Sequence, residues 1–125
     1  MISLWVVFGI ILIHWFADFV CQTDWQAQNK SKNNKALLSH TLTYSGIWLS
    51  FGVMYVLFNL DTYTEWSLTK FVFITFVAHT LTDYITSRIN SKLWAKKDVH
   101  NFFVSVGFDQ VLHYVQLFLT FHFLR

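Results

Sequence analysis

Residues 71–87 read Phe71-Val-Phe-Ile-Thr-Phe-Val-Ala-His79-Thr-Leu-Thr-Asp83-Tyr-Ile-Thr-Ser87. The stretch holds no lysine, arginine, glutamate, glycine or proline, so nothing in it ends a helix or sets a turn. It approaches the ~20 residues that cross a ~30 Å hydrocarbon core as helix. Within it stand one histidine and one aspartate, four residues apart and therefore on one helix face. An aspartate at the centre of a membrane helix costs about 2.5–3.5 kcal/mol on insertion scales, so an ionisable pair there marks a site.

Outward from this stretch, three more apolar runs cover roughly residues 2–21, 36–59 and 102–124. The chain of 125 residues is 54% apolar, 20% aromatic and only 13% charged, where a soluble domain carries about a quarter. The expectation is an all-α fold in one domain, 1–125: a four-helix transmembrane bundle. The alternative is a soluble helical bundle with an unusually apolar core. The first run has no basic segment before it, no small-residue cleavage pattern after it, and His14 and Asp18 inside it. It reads as a retained helix, not a signal peptide. Cys21 is the one cysteine, so no internal disulfide forms, and it reads as packing.

Charge placement sets the expected topology. Lys30, Lys32 and Lys35 lie in the connection 21–35, and Arg88, Lys92, Lys96 and Lys97 in 88–101. The connection 60–70 holds Lys70 against Asp61 and Glu65. The positive-inside rule then gives a multi-pass protein of the inner (cytoplasmic) membrane, with both chain ends and the middle loop outside. Trp5 and Trp66 fall near the outer interface, Trp25 and Trp94 near the inner one. The lysines read as topology signals and contacts to anionic lipid in the bilayer, and no nucleic-acid partner is expected.

Seven ionisable residues lie inside the four runs: His14, Asp18, His40, His79, Asp83, Asp109 and His113. His14/Asp18 and His79/Asp83 repeat as His-x3-Asp-aromatic, a weak parallel two-helix repeat. At ~1.5 Å per residue, Asp18, His40 and Asp83 lie ~6 Å from the cytoplasmic helix ends, His14, His79 and Asp109 ~11 Å, and His113 ~16 Å. All seven occupy the cytoplasmic half, where a bundle can bring their faces together. Imidazole and carboxylate donors without thiolates suit one or two divalent ions: zinc, manganese or iron(II). Interhelical hydrogen bonding and a proton relay are the alternatives. Asp98 and His100 read as loop residues.

The motifs His14-x3-Asp18-Phe19-x2-Gln22, Asp24-Trp25-x-Ala27-x2-Lys30, Leu38-x-His40, His79-x3-Asp83 and Phe108-Asp109-Gln110-x2-His113 carry a resemblance over nearly the whole chain. The chain resembles a family of small bacterial and phage membrane proteins that bears only a domain-of-unknown-function label. At greater distance it is similar to membrane-bound metal-dependent hydrolases. The resemblance adds three residues to the candidates. Gln22 would hydrogen-bond water or substrate, Lys30 would meet a phosphate, and Gln110 would touch substrate or face a neighbouring helix.

The expected function is a metal-dependent hydrolase opening to the cytoplasm, acting on an anionic phosphate-containing or lipid substrate such as a phospholipid headgroup. His14, His79 and His113 with Asp18 or Asp83 would be ligands, and Asp109 the general base. Asp18 and Gln22 complete the expected catalytic set. The alternative is a metal-ion or proton transporter, favoured by the stripe Ser105, Asp109, His113, Gln116 and Thr120 along the last helix. Pairing of that stripe in a homodimer would explain it equally well. A structural membrane module comes third.

Overall fold

The computed structural model describes residues 1–125 and is all-helical, without strands. Helix α1, Leu4–Trp15, runs into a π-helical turn, Phe16–Val20. Then follow α2, Asp24–Asn29; α3, Asn34–Leu57; α4, Glu65–Ala95; and α5, Val99–Leu124. The expected four long elements are present, with two departures. Helix α4 overruns 71–87 at both ends, because Glu65–Lys70 and Arg88–Ala95 contain no helix breaker and several good helix formers. Hydropathy marked the apolar part of that helix, not its ends. Helix α2 lies in a segment read from sequence as a polar connection. It is held by a capping box in which Thr23 and Gln26 satisfy each other's backbone N–H groups.

In the absence of proline, side-chain caps and two left-handed residues set the helix ends. Ser3, Asn33, Thr64 and Asp98 each accept a backbone N–H at a helix start, an interaction of about 1 kcal/mol. Asn59 (φ 49°) and Lys97 (φ 58°) turn the chain out of α3 and α4. Asp98 thus serves α5, not the cluster of ionisable residues.

Against four expected spans, one helix, Val99–Leu124, is long and apolar enough to cross a membrane, and Leu4–Val20 is apolar but shorter. The difference comes from the interior faces of α3 and α4, whose buried His40, Thr41, Ser45, Thr75, His79 and Asp83 lower their hydropathy.

Helix α4 packs between α3 and α5, the π-turn and α2 lean on α3, and α1 touches α5. At one end Arg125 donates from Nε to Asp61 Oδ2 at 2.7 Å and from Nη1 to the Met1 carbonyl at 3.0 Å. At the other, Arg88 Nη2 donates to Asn34 Oδ1 at 3.2 Å. The two basic connections therefore share one end, and Met1, Asp61 and Arg125 share the other.

The interior has two layers. Toward the Asp61 end lies an apolar core of Ile10, Trp48, Tyr63, Leu68, Phe71, Leu117 and Phe121. Tyr63 stacks on Phe121 at 5.0 Å, and Gly52 leaves room for Leu68 that a Cβ would fill. Toward the basic end the interior is polar. Thirteen of the 24 buried residues are polar or charged, while Phe8, Leu42, Phe73, Leu81, Phe108 and Val115 stand exposed outside.

Candidate metal centre

Six of the seven ionisable residues form two overlapping groups of metal-ligand type, all buried: Asp18, His40, His79 and Asp83, and Asp18, Asp109 and His113. Local structure explains how Asp18 belongs to both. It sits in the π-turn, where Cys21 N–H bonds the Phe16 carbonyl five residues back at 2.9 Å. Such a widened turn accommodates an extra residue and occurs often at functional sites. Across from it, α4 presents His79 and Asp83 one turn apart, α3 presents His40, and α5 presents Asp109 and His113.

Distances within the first group are those of a coordination shell. His40 Nε2 lies 3.0 Å from Asp18 Oδ1, 3.3 Å from Asp83 Oδ2 and 3.2 Å from His79 Nε2. His79 Nε2 lies 3.5 Å from Asp18 Oδ1 and 3.7 Å from Asp83 Oδ2. Four ligands at ~2.0–2.1 Å from a tetrahedral ion stand about 3.4 Å apart. Five of the six separations bracket that value and the sixth, Asp18 to Asp83, is within 4.8 Å, so the donor set could hold a single divalent cation.

The second group shares Asp18 with the first, and its His113 also approaches Asp83. His113 Nε2 is 3.2 Å from Asp83 Oδ1 and 3.3 Å from Asp109 Oδ2. It is nevertheless buried without a hydrogen bond, as is Asp109 Oδ1. For His113 Nε2, close approach to two carboxylates without hydrogen-bond alignment is what an atom aimed at a cation shows. The two oxygens of Asp83 thus face different imidazoles, the arrangement of a carboxylate able to bridge two ions.

His14, expected as a ligand, is placed differently. Its Nδ1 is 2.8 Å from the Tyr44 hydroxyl and its Nε2 2.7 Å from Gln110 Oε1. The amide oxygen only accepts, so Nε2 carries the proton and Nδ1 accepts from Tyr44. Both nitrogens are occupied, and Asp18 Oδ2 lies 3.7 Å from Nε2. His14 supports the centre and joins neither ligand group. The two His-x3-Asp copies therefore differ: the one on α4 offers both residues, the one on α1 only the aspartate.

Gln110 faces α1, and its Nε2 donates to Asp109 Oδ2 at 3.1 Å. It orients one carboxylate and one imidazole. Tyr44 stacks flat on His79, centroids 3.8 Å apart at 5°, and holds His14 through its hydroxyl. Spacing gave the signal for it: Tyr44 is one turn beyond His40 on the same face of α3.

Lys30, expected to meet a phosphate, points inward from the end of α2. Its Nζ donates to Asp83 Oδ2 at 2.8 Å, with the lysine side chain 20% exposed. Burial works against its ammonium form, but Asp83 and then Asp18 outweigh that and hold its pKa above the usual lysine value.

A cavity of about 730 Å³ opens beside the centre at the basic end, bordered by the candidate ligands Asp18 and Asp109 and by Gln22, Lys30, Lys32 and Gln110. Ser87 and Asn90, which continue the His79/Asp83 face of α4 at helical spacing, also border it; sequence reading passed over both. A second cavity, about 530 Å³, lies among Trp5, Ile10, Trp48, Phe71 and Phe121, and 14 of its 17 bordering residues are hydrophobic. It holds none of the ligand residues.

A family model described as "Protein of unknown function (DUF3307)" matches residues 6–125. No curated protein matches the chain, and no solved structure does.

Proposed function

The chain belongs to the DUF3307 family, and we propose that it is a membrane-embedded, metal-dependent hydrolase whose site opens at the basic, cytoplasmic end. The observation that carries the metal reading is the convergence of His40, His79, Asp18 and Asp83 at the separations of a tetrahedral shell. Interhelical hydrogen bonding alone averages ~0.6 kcal/mol per pair, and Thr or Ser supplies it without burying three carboxylates.

The membrane reading rests on an inverted distribution of polarity. Charged and polar side chains fill the interior while phenylalanines, leucines and valines cover the outside. A soluble monomer rarely exposes contiguous apolar surface beyond a few hundred Å². Helix α1 together with its π-turn, and the longer α3, α4 and α5, would be the spans, with both basic connections on the cytoplasmic side.

Hydrolysis is favoured over transport by the outer half of the interior. Trp48, Phe71, Leu117 and Phe121 pack there, in a core that holds no histidine, carboxylate or lysine. Of the polar stripe on α5, Gln116 Nε2 donates to Thr75 Oγ1 at 3.1 Å and Thr120 Oγ1 at 3.0 Å. Those residues join α4 to α5 within one chain, and need neither a conducting path nor a second copy.

Zinc, manganese or iron(II), when bound, supplies Lewis acidity toward a phosphoryl or acyl oxygen and makes a neighbouring water more acidic. The chain's residues do the rest. Asp109, which borders the cavity and has Oδ1 free, takes the proton of the attacking water and returns it to the leaving alkoxide. Gln110 holds Asp109 in place, and Gln22 orients the water or substrate. The water oxygen bonds to phosphorus as the ester P–O bond breaks.

Detergent-purified protein loaded with zinc or manganese tests this against p-nitrophenyl phosphate, bis-p-nitrophenyl phosphate and p-nitrophenyl acetate. The account expects turnover of an ester that Asp109→Asn abolishes while the ion at His40 and His79 stays bound. Bound ion without turnover of any of the three, together with ion flux in proteoliposomes, overturns it in favour of transport.

A further inference from the structure

Three residues around the cavity each carry a buried side-chain oxygen that nothing in the chain pairs: Gln22 Oε1, Ser87 Oγ and Asn90 Oδ1. Buried polar groups are nearly always hydrogen-bonded, and an unpaired one costs about 1–3 kcal/mol. Three such groups beside one cavity describe the part of a ligand that completes them. The same cavity is bordered by Lys30 and Lys32 and, at the metal centre, by Asp18 and Asp109. Trp94 and Phe102, with ring centroids 5.0 Å apart, supply an apolar wall.

Resting on the hydrolase reading above, we infer that the substrate is a phosphate ester whose alcohol portion bears free hydroxyl groups, a phosphoglycerol or sugar-phosphate. The phosphate would lie toward the metal centre and Lys30, and the hydroxyls toward Gln22, Ser87 and Asn90. A hydroxyl is the group that fits on two counts. It both donates and accepts, so it satisfies a glutamine or asparagine amide in either orientation, whereas an ammonium only donates. It is also neutral, and Lys30 and Lys32 would repel an ammonium headgroup. The carbon face of a polyol packs against Trp94 and Phe102. The same headgroup can arrive on a lipid from the bilayer or as a free ester from the cytoplasm.

The test uses full-length, zinc-loaded Asp109→Asn protein, so that the probes stay intact. Titration compares glycerol 1-phosphate with ethyl phosphate, which lacks the hydroxyls. A parallel arm compares phosphatidylglycerol with phosphatidylethanol in phosphatidylcholine nanodiscs. A site built around hydroxyls rejects the analogue lacking them, and the expected preference is about tenfold or more. Preference in the first arm identifies a free ester, and in the second a lipid. Adding Ser87→Ala or Asn90→Leu should remove most of the preference with zinc content unchanged, which also reports that each variant is folded. Equal binding of both members in both arms, or preference undiminished in both variants, overturns the inference and leaves the metal site standing. Unsubstituted protein that takes up no zinc overturns both readings, and so separates the two failures.

Discussion

Replacing Lys30 by glutamine should tighten, not weaken, the binding of a divalent ion. Lys30 Nζ lies 2.8 Å from Asp83 Oδ2, the oxygen that also faces His40 and His79. An ion bonded to that oxygen at ~2.0–2.2 Å would sit within about 5 Å of the ammonium. At an effective dielectric of ~20, charges of +1 and +2 at that distance repel by at least ~7 kcal/mol. The lysine side chain relieves most of this by swinging into the adjoining cavity. What binding still loses is one charge-assisted hydrogen bond, about 1.5–3 kcal/mol. Lys30→Gln removes that competition, so affinity should rise about tenfold to a hundredfold. Competition between the purified protein and a zinc-sensing chelator measures it. Unchanged or weaker binding would refute the reasoning, because the ion would then not use Asp83 Oδ2.

Further expectations follow from the same geometry. His79→Ala should abolish stoichiometric metal while His14→Ala retains it, measured by elemental analysis, since Tyr44 and Gln110 occupy both His14 nitrogens. Tyr44→Phe keeps the ring stacked on His79 but orphans His14 Nδ1, and should lower stability by about 1–3 kcal/mol in denaturant titration with metal content preserved. Lys97 has φ 58°, a conformation that costs a side-chain-bearing residue ~1–2 kcal/mol. Lys97→Gly should therefore raise the melting temperature, by up to about 1 kcal/mol of stability after the greater chain entropy of glycine is set against it.

Spacing made much of the centre legible. His79 and Asp83, and Asp109 and His113, are i, i+4 pairs on uninterrupted helices, and periodicity alone aligns such pairs. His40 was visible because an imidazole inside an apolar run has few other uses. The first pair is split by a local feature: the π-turn at Phe16–Val20 is invisible to a 3.6-residue period. That turn puts Asp18 in both candidate groups while His14 pairs with Tyr44 and Gln110. A motif marked Lys30 as a candidate, but its contact with Asp83 lay beyond any spacing rule, since it joins residues 53 apart. Helix bounds failed where hydropathy and helix propensity part company, at the polar ends of α4. The four apolar lengths were legible as helices, yet only α5 meets the length and composition of a span, because α3 and α4 turn their polar faces to the centre.

X-ray absorption at the zinc edge of the loaded protein tests the coordination site most directly. The account predicts one tightly held ion with imidazole scattering from two histidines and carboxylate oxygens at about 2.0 Å, and loss of that pattern in His79→Ala. An all-oxygen hydrated shell, or a spectrum identical in the variant, would contradict it.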